Sequence, residues 1–176
     1  MNARSASHVL MIAPHHYRTN EETAASNVFQ HAVDESEATR LADLAIEQHR
    51  RFRDALIEEG VRVTVARSLA ATPDAPFCNN WFSTHPSGPE GRPTLVLYPM
   101  LAPSRRLERR ADLVSFLAAR YPDRLDFSTR EQEGIFLEST GSLVLDDGSR
   151  TAYAAISPRT DLRLVEEGAA AMKYRA

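Results

Sequence analysis

The side chains best suited to chemistry lie in three short polar motifs. Residues 137–141 read LESTG and carry the carboxylate of Glu138, residues 77–80 read FCNN and end in the amide of Asn80, and residues 157–160 read SPRT and carry Arg159. A carboxylate accepts paired N–H bonds, an amide both donates and accepts, and a guanidinium grips a carboxylate with two parallel N–H bonds. Each motif could therefore contact a polar ligand, and each also has a purely structural interpretation.

Taken singly, these residues fit ordinary structural roles. Glu138 would be a strand-end glutamate near a turn, the pair Asn79 and Asn80 would be turn formers, and the four arginines within residues 105–110 would be a solvated helix start. Cys78 is interpreted as a small packing residue, because no partner that would activate its thiol can be named. The histidines do not form a set suited to metal binding, so no metal site is predicted.

Hydrophobic periodicity predicts the elements that must position the motifs. Helices are predicted over residues 39–59, 107–120 and 162–172, with a short helical turn over 24–32. Strands are predicted over 9–12, 61–65, 80–84, 94–98, 125–127 and 135–137. Residues 143–145 and 153–156 flank Asp147 and Gly148, a dipeptide typical of a tight hairpin turn. Paired strands with intervening helices indicate an α/β or α+β fold, and no linker divides the chain, so one domain over residues 1–176 is expected.

Composition narrows the class of protein. The formal net charge is −3 and the pI is near 6.1, so no global basic field exists to attract a nucleic-acid backbone. The apolar run at residues 9–12 is far too short to span a bilayer. The single cysteine excludes an internal disulfide. We expect a cytoplasmic protein that binds neither nucleic acid nor membrane.

Four collinear blocks resemble one family when they are considered together. Residues 9–30, 73–85, 97–110 and 136–160 are similar to the amidinotransferase and arginine deiminase superfamily, most closely to its citrulline utilisation hydrolases. The resemblance implies a pentein fold, in which five β-β-α-β modules surround a central pocket. It also implies a cysteine nucleophile and a histidine that carries protons, both located in the later modules of the family. This chain is therefore expected to be a partial pentein that lacks both residues.

The resemblance assigns roles to four residues. Glu138 matches the family's strand-borne acid, which binds substrate nitrogens, although Ser139 follows it where glycine is usual. Asn80 stands where relatives specific for guanidine have aspartate, and an amide can donate to the carbonyl oxygen of a ureido group. Arg159, with help from Arg106, matches the arginines that hold the α-carboxylate of the substrate.

The resulting interpretation is a relative of citrulline hydrolase, which would convert citrulline and water to ornithine, ammonia and carbon dioxide. Its ligand would be a ureido or guanidino amino acid, no cofactor is implied, and the chain alone is expected to be inactive. Two alternatives stay open: an inactive truncated paralogue that acts as a binding or oligomerising module, with a homo-oligomer possible, and an arginine deiminase or amidinotransferase.

Overall fold

The computed structural model describes residues 6–24 and 34–176. The chain divides into two compact units, Met1–Cys78 and Asn79–Ala176. Beyond Ala24, the helical turn predicted over 24–32 lies outside the described residues. Within the described ranges, no helix combines the length and the hydrophobicity needed to cross a bilayer.

The first unit pairs two parallel strands with a long helix. Its elements are β1 (His8–Ala13), α1 (Glu21–Ala24), α2 (Glu35–Glu58) and β2 (Arg62–Arg67), and the register of β1 with β2 aligns Val9 with Val63. Helix α2 begins four residues before the predicted start, because the side chain of Asp34 accepts a hydrogen bond from the N–H of Glu37 and caps the first turn. Gly60, at φ +80°, lies just past its end, as predicted.

The second unit opens with a three-stranded sheet in the order β3–β4–β5, formed by β3 (Phe82–His85), β4 (Thr94–Leu97) and β5 (Asp123–Asp126). Strand β4 is buried along its whole length and pairs antiparallel with β3 and parallel with β5. The strand predicted over 80–84 was wrong at its start: Ala75–Asn80 forms a 3-10 helix, and the strand begins only after the buried Trp81.

The helix predicted over 107–120 is present but shorter, over residues 111–118, and a separate short helix precedes the predicted range. Helix α3 (Pro103–Arg106) begins with proline, which suits a first helical turn, and α4 (Ala111–Ala118) follows it. The two are separate because the backbone of Arg110 is extended, at φ −69° and ψ 143°. After β5, Ser128–Glu133 forms a second 3-10 helix. Residues 135–137 are not the predicted strand, since Leu137 makes only an isolated bridge to Thr160.

The last elements close the core of this unit. A short helix α5 (Ser139–Ser142) leads into the hairpin of β6 (Leu143–Asp146) and β7 (Thr151–Ala154), and α6 (Leu162–Ala171) follows. The predicted hairpin and final helix are confirmed. The core is formed by buried side chains from β4, the loop that precedes α5, the hairpin and α6: Val96, Tyr98, Phe127, Leu137, Leu143, Ala152, Leu164, Val165, Ala169, Met172 and Tyr174.

Candidate functional site

Glu138 is a buried carboxylate with two unequal oxygens. Only 1% of the residue is exposed. Its Oε1 accepts a hydrogen bond from the N–H of Leu101 at 3.0 Å. Its Oε2 accepts none from any residue that the structure describes. Because buried acceptors are almost always hydrogen-bonded, Oε2 is the atom of Glu138 that still has capacity to accept an N–H among the described residues.

The backbone around Glu138 is irregular and is held by side chains. The N–H of Glu138 donates to Ser142 Oγ at 3.0 Å, and its carbonyl accepts from the N–H of Gly141 at 2.7 Å. Ser139 adopts φ +31°, in the left-handed region that favours glycine, and is 3% exposed. The one position where this sequence departs from the resembled motif is therefore a position where the backbone would suit glycine.

The hydroxyl of Tyr98 lies under this turn in a chain of polar contacts. Ser83 Oγ lies 2.9 Å from the Tyr98 hydroxyl and 2.8 Å from Nε2 of His85. Burial raises the pKa of Tyr98, while hydrogen bonds from the side chains of Ser83 and Ser139 lower it. Burial also lowers the pKa of His85, which favours its neutral form. Ser139 is thus connected to a buried polar network and not to solvent.

Arg159 lies beside Oε2 of Glu138, the oxygen without a hydrogen bond from the described residues. Its Nη1 is 3.6 Å from Oε2, which makes an ion pair but is too long for a hydrogen bond, and its side chain is 19% exposed. Two hydroxyls hold its backbone: the carbonyl of Arg159 accepts from Ser142 Oγ at 2.9 Å, and its N–H donates to Ser157 Oγ at 3.2 Å. The structure therefore brings together two of the predicted site residues, 21 positions apart in sequence.

Asn80 lies against the turn that carries Glu138. A Cβ atom at Gly141 would lie 2.8 Å from Nδ2 of Asn80 and 3.6 Å from Cβ of Glu138, so Gly141 is in close contact with both side chains. Thr140 Oγ1 also donates to the carbonyl of Asn79 at 3.3 Å. The amide of Asn80 is half-buried and has no hydrogen-bond partner in the described part of the chain, so it too is available to a ligand.

Arg106 is committed to backbone carbonyls. Its Nε donates to the carbonyl of Met100 and its Nη2 to that of Leu101, both at 2.9 Å. Its guanidinium carbon lies 5.7 Å from the ring centroid of Phe136. The predicted contact of Arg106 with a substrate carboxylate stays a prediction.

The basic run at residues 105–110 is not a solvated surface. Arg105 is 3% exposed and pairs with the buried Glu108 at 2.9 Å. Arg109 donates through Nη2 to both oxygens of Glu131 at 2.9 Å. Sequence reasoning missed Glu131, because nothing in the polar segment STREQE distinguishes this glutamate from its exposed neighbours.

Cys78 and the described histidines do not form a second candidate site. Cys78 is buried, and its Sγ lies 3.9 Å from the carbonyl of Leu10, which fits the predicted packing role. Among the described residues, no three His, Cys, Asp or Glu side chains come together in a group that could hold a metal ion.

Residues 13–176 match the family model described as N,N dimethylarginine dimethylhydrolase, eukaryotic. The chain belongs to this family. Asn80, Arg106, Glu138 and Arg159 all lie inside the matched residues. No curated protein matches the chain.

Solved structures show the same fold at low sequence identity. The N-terminal domain of ArgZ, a cyanobacterial arginine dihydrolase solved with its substrate, superposes with a TM-score of 0.67 at 17% identity, over 96% of this chain and 55% of that domain. A dimethylarginine dimethylaminohydrolase solved as an adduct with S-methyl-L-thiocitrulline gives 0.64 at 16% identity, over 97% of this chain and 59% of that one. Unliganded AgrE gives 0.60 at 18% identity, over 89% of this chain and 20% of that one.

These comparisons confirm the predicted superfamily and the α/β pentein fold. The chain spans 55% and 59% of the length of the first two solved relatives. The predicted single domain over 1–176 stays a prediction, as do the roles of the four site residues.

Proposed function

We propose that this chain carries the head-group recognition site of a hydrolase that cleaves a C–N bond in a ureido amino acid, with citrulline as the substrate. The reaction would consume citrulline and water and release ornithine, ammonia and carbon dioxide. Glu138 would bind the ureido nitrogens, Asn80 the ureido oxygen and Arg159 the carboxylate. The proposal assigns neither nucleophile nor general base to this chain, so binding without turnover is expected of it alone, and it places the protein in the cytoplasm.

The observation that carries the proposal is Oε2 of Glu138, a buried oxygen that accepts no hydrogen bond from any described residue and has only the ion pair with Arg159 at 3.6 Å. Leaving a buried acceptor without a hydrogen bond costs about 1–3 kcal/mol, part of which the ion pair offsets. A ligand N–H that reached Oε2 would recover the remainder. Asn80, whose side chain lies against Gly141 of the same turn, is the second polar group available there.

Charge balance favours a ureido over a guanidino head group. The formal charges of Glu138 and Arg159 cancel, and the two groups lie 3.6 Å apart. Asn80 adds no charge. A neutral ureido group therefore enters a site whose fixed charges are already balanced, whereas a guanidinium cation would bring an excess positive charge beside Arg159. The amide of Asn80 can also donate to the ureido oxygen, which a guanidinium lacks.

Arginine or a methylated arginine is the second candidate substrate. It is supported by the names of two relatives, an arginine dihydrolase and a dimethylarginine dimethylaminohydrolase. The carboxylate of Glu138 would then bind the cationic head group, as an acceptor-only group can. An inactive binding module is a third candidate, and turnover would distinguish it from an enzyme.

The deciding experiment is isothermal titration of the purified, folded chain with citrulline and, in parallel, with arginine. Glu138→Gln should weaken citrulline binding about 10- to 100-fold, the loss expected for one charge-assisted hydrogen bond. Asn80→Asp should shift the preference toward arginine, because it adds a negative charge. Glu133→Gln, at a half-exposed glutamate that pairs with Arg130, is the matched control and should bind as the unmodified chain does.

Two results would reject the proposal. One is the absence of saturable citrulline binding by a chain shown to be folded by circular dichroism. The other is unchanged affinity in Glu138→Gln. Ornithine and ammonia release, measured on the same samples, separates turnover from binding alone.

A further inference from the structure

The segment that supplies the N–H to Glu138 is held by backbone and side-chain hydrogen bonds together. Strand β4 ends at Leu97. Beyond it, the N–H of Tyr98 donates to the carbonyl of Trp81 at 3.0 Å, and the carbonyl of Pro99 accepts from the N–H of Leu137 at 3.2 Å. Two side chains hold the groups between and after them: Nη1 of Arg109 donates to the carbonyl of Tyr98 at 3.0 Å, and Oε1 of Glu131 accepts from the N–H of Met100 at 2.8 Å. Arg109 and Glu131 therefore satisfy buried backbone groups that the strand ladder does not reach.

Arg109 and Glu131 form one rigid pair across this segment. Nη2 of Arg109 donates to both oxygens of Glu131, and their side chains are only 14% and 11% exposed. Arg109 also donates to the carbonyl of Tyr98, and Glu131 accepts from the N–H of Met100, two residues later. The pair therefore fixes the direction of the backbone that leads to Leu101. An ion pair with several simultaneous hydrogen bonds in a low-dielectric surrounding is strongly orienting.

The next N–H along the chain is the one that reaches the site. Leu101 donates to Oε1 of Glu138 at 3.0 Å. This hydrogen bond assigns Oε1 to the backbone of the chain and leaves Oε2 for a ligand. If residues 98–101 moved, Glu138 could rotate about its terminal torsion and lose this division between its oxygens.

We propose that Arg109 and Glu131 are positioning residues for Glu138, acting through the N–H of Leu101. The inference deepens the proposed function and rests on it for the role of Oε2. Arg109 donates to the backbone of Tyr98, and Glu131 also forms an ion pair with Arg106 at 3.9 Å. Because Arg106 in turn donates to the carbonyls of Met100 and Leu101, these contacts all act on Glu138 through the backbone of residues 98–101.

The test follows one nuclear magnetic resonance signal, the amide of Leu101. A hydrogen bond to a carboxylate is stronger than one to a neutral acceptor and moves the amide proton further downfield, so Glu138→Gln should move the Leu101 amide upfield. If Glu138→Gln leaves the Leu101 amide unchanged in a folded chain, the inference is wrong without any further variant.

Two conservative variants then test the pair, each with a matched control. Glu131→Gln keeps the side-chain length but removes the charge, and its control is Glu133→Gln. Arg109→Lys keeps the charge but removes the fork of N–H groups, and its control is Arg110→Lys, at an arginine paired with the exposed Asp112. In each test variant the Leu101 amide should move upfield, as it does in Glu138→Gln, whereas in each control it should be unchanged.

Citrulline affinity should fall about tenfold in the two test variants, the size of one hydrogen bond. An unchanged Leu101 amide in both folded variants would overturn the positioning role. If citrulline does not bind the unmodified chain but the Leu101 amide moves in both test variants, the proposed function fails and the positioning role stands. If citrulline binds but the Leu101 amide moves in neither test variant, only the positioning role fails.

Discussion

Replacing Gly141 with alanine should weaken ligand recognition by displacing the side chain of Asn80, with only a modest loss of stability. The added Cβ would lie 2.8 Å from Nδ2 of Asn80 and 3.4 Å from its Cγ. Nonbonded heavy atoms prefer separations of about 3.5 Å or more, so Nδ2 would have to retreat by about 0.7 Å. The Cβ of Glu138, at 3.6 Å, lies at an ordinary contact distance and need not move.

The cost in stability should be small because Asn80 has room to move. Its side chain is half-buried, and no hydrogen bond within the described residues holds its amide. A rotation of this size costs about 0.5–1.5 kcal/mol. The Tm should therefore fall by about 1–6 °C for a chain of this length.

The cost in affinity should be of similar size, but it falls entirely on one contact with the ligand. An amide placed 2.9 Å from the ligand oxygen would be left at about 3.6 Å, which is beyond hydrogen-bond distance. Losing that bond corresponds to citrulline binding about 5- to 10-fold weaker, with a smaller change for arginine, which offers no carbonyl oxygen. Titration calorimetry with both ligands measures the difference, and a thermal scan measures the Tm.

A double-mutant cycle shows whether the effect passes through Asn80. In an Asn80→Ala background, Gly141→Ala should have no further effect on citrulline binding, because the amide has been removed. Gly148→Ala is the matched control: its Cβ would meet Asp146 Oδ1 at 3.2 Å in the hairpin turn, and affinity should be unchanged. Equal losses from Gly141→Ala in both backgrounds would refute the proposed displacement.

Three further expectations concern stability. Gly168 lies inside α6, where an added methyl group would meet only side chains of the core, the nearest being Leu137 at 3.6 Å. Alanine stabilises a helix by about 1 kcal/mol relative to glycine. Gly168→Ala should therefore raise the Tm by about 2–4 °C. Burial, and then a hydrogen bond to Asp147, raises the pKa of Tyr174 from 10.0 to about 12. The folded state therefore retains this proton, and the resulting stabilisation is complete below pH 10 and is lost as the pH rises toward 12. In urea denaturation, the free energy of unfolding of the unmodified chain should exceed that of Tyr174→Phe by an amount that shrinks between pH 9 and pH 11.5. Asp161 caps α6, and a hydrogen bond from the Arg163 side chain, with further contacts, lowers the pKa of Asp161. Its stabilisation is present above the unfolded pKa near 3.8 and is lost as the pH falls through the lowered value, so Asp161→Asn should lower the Tm at pH 7 and leave it unchanged in strong acid.

Elements with a local cause were predictable from the sequence. The hairpin forms around Asp147 and Gly148, where Asp146 Oδ1 accepts from the N–H of Gly148 at 2.8 Å. Helix α6 has a capping aspartate and a clear apolar face, and it ends within one residue of the predicted end. In both cases neighbouring residues alone determine the backbone.

Elements with a distant cause were not predictable. The periodicity over 107–120 favoured one helix, but Arg109 is held by Glu131, 22 residues later in the chain. Likewise, the N–H of Met100 finds its acceptor 31 residues away. Such polar pairs produce no periodic pattern in the sequence. Neither the extended backbone at Arg110 nor the contacts of Glu131 could therefore be predicted from a single sequence. The motifs identified Glu138, Asn80 and Arg159 as candidates, but only the fold shows which of their atoms lie close together.

The irregular backbone at the site is itself an argument for function. Asn80 ends a 3-10 helix, Glu138 precedes a single short turn, and Arg159 lies in the loop before α6, so none of the three lies within a strand or a long helix. Ser139 holds a left-handed backbone conformation, a state that costs a non-glycine residue about 1–2 kcal/mol. Oε2 of Glu138 forms an ion pair with Arg159 but accepts no hydrogen bond from any described residue, which adds part of the cost of an unsatisfied buried acceptor. A turn selected for stability alone would place glycine at position 139 and would give this buried oxygen a hydrogen-bond donor. Both costs occur in adjacent residues of one motif, which is the pattern expected where local stability is sacrificed to hold a ligand.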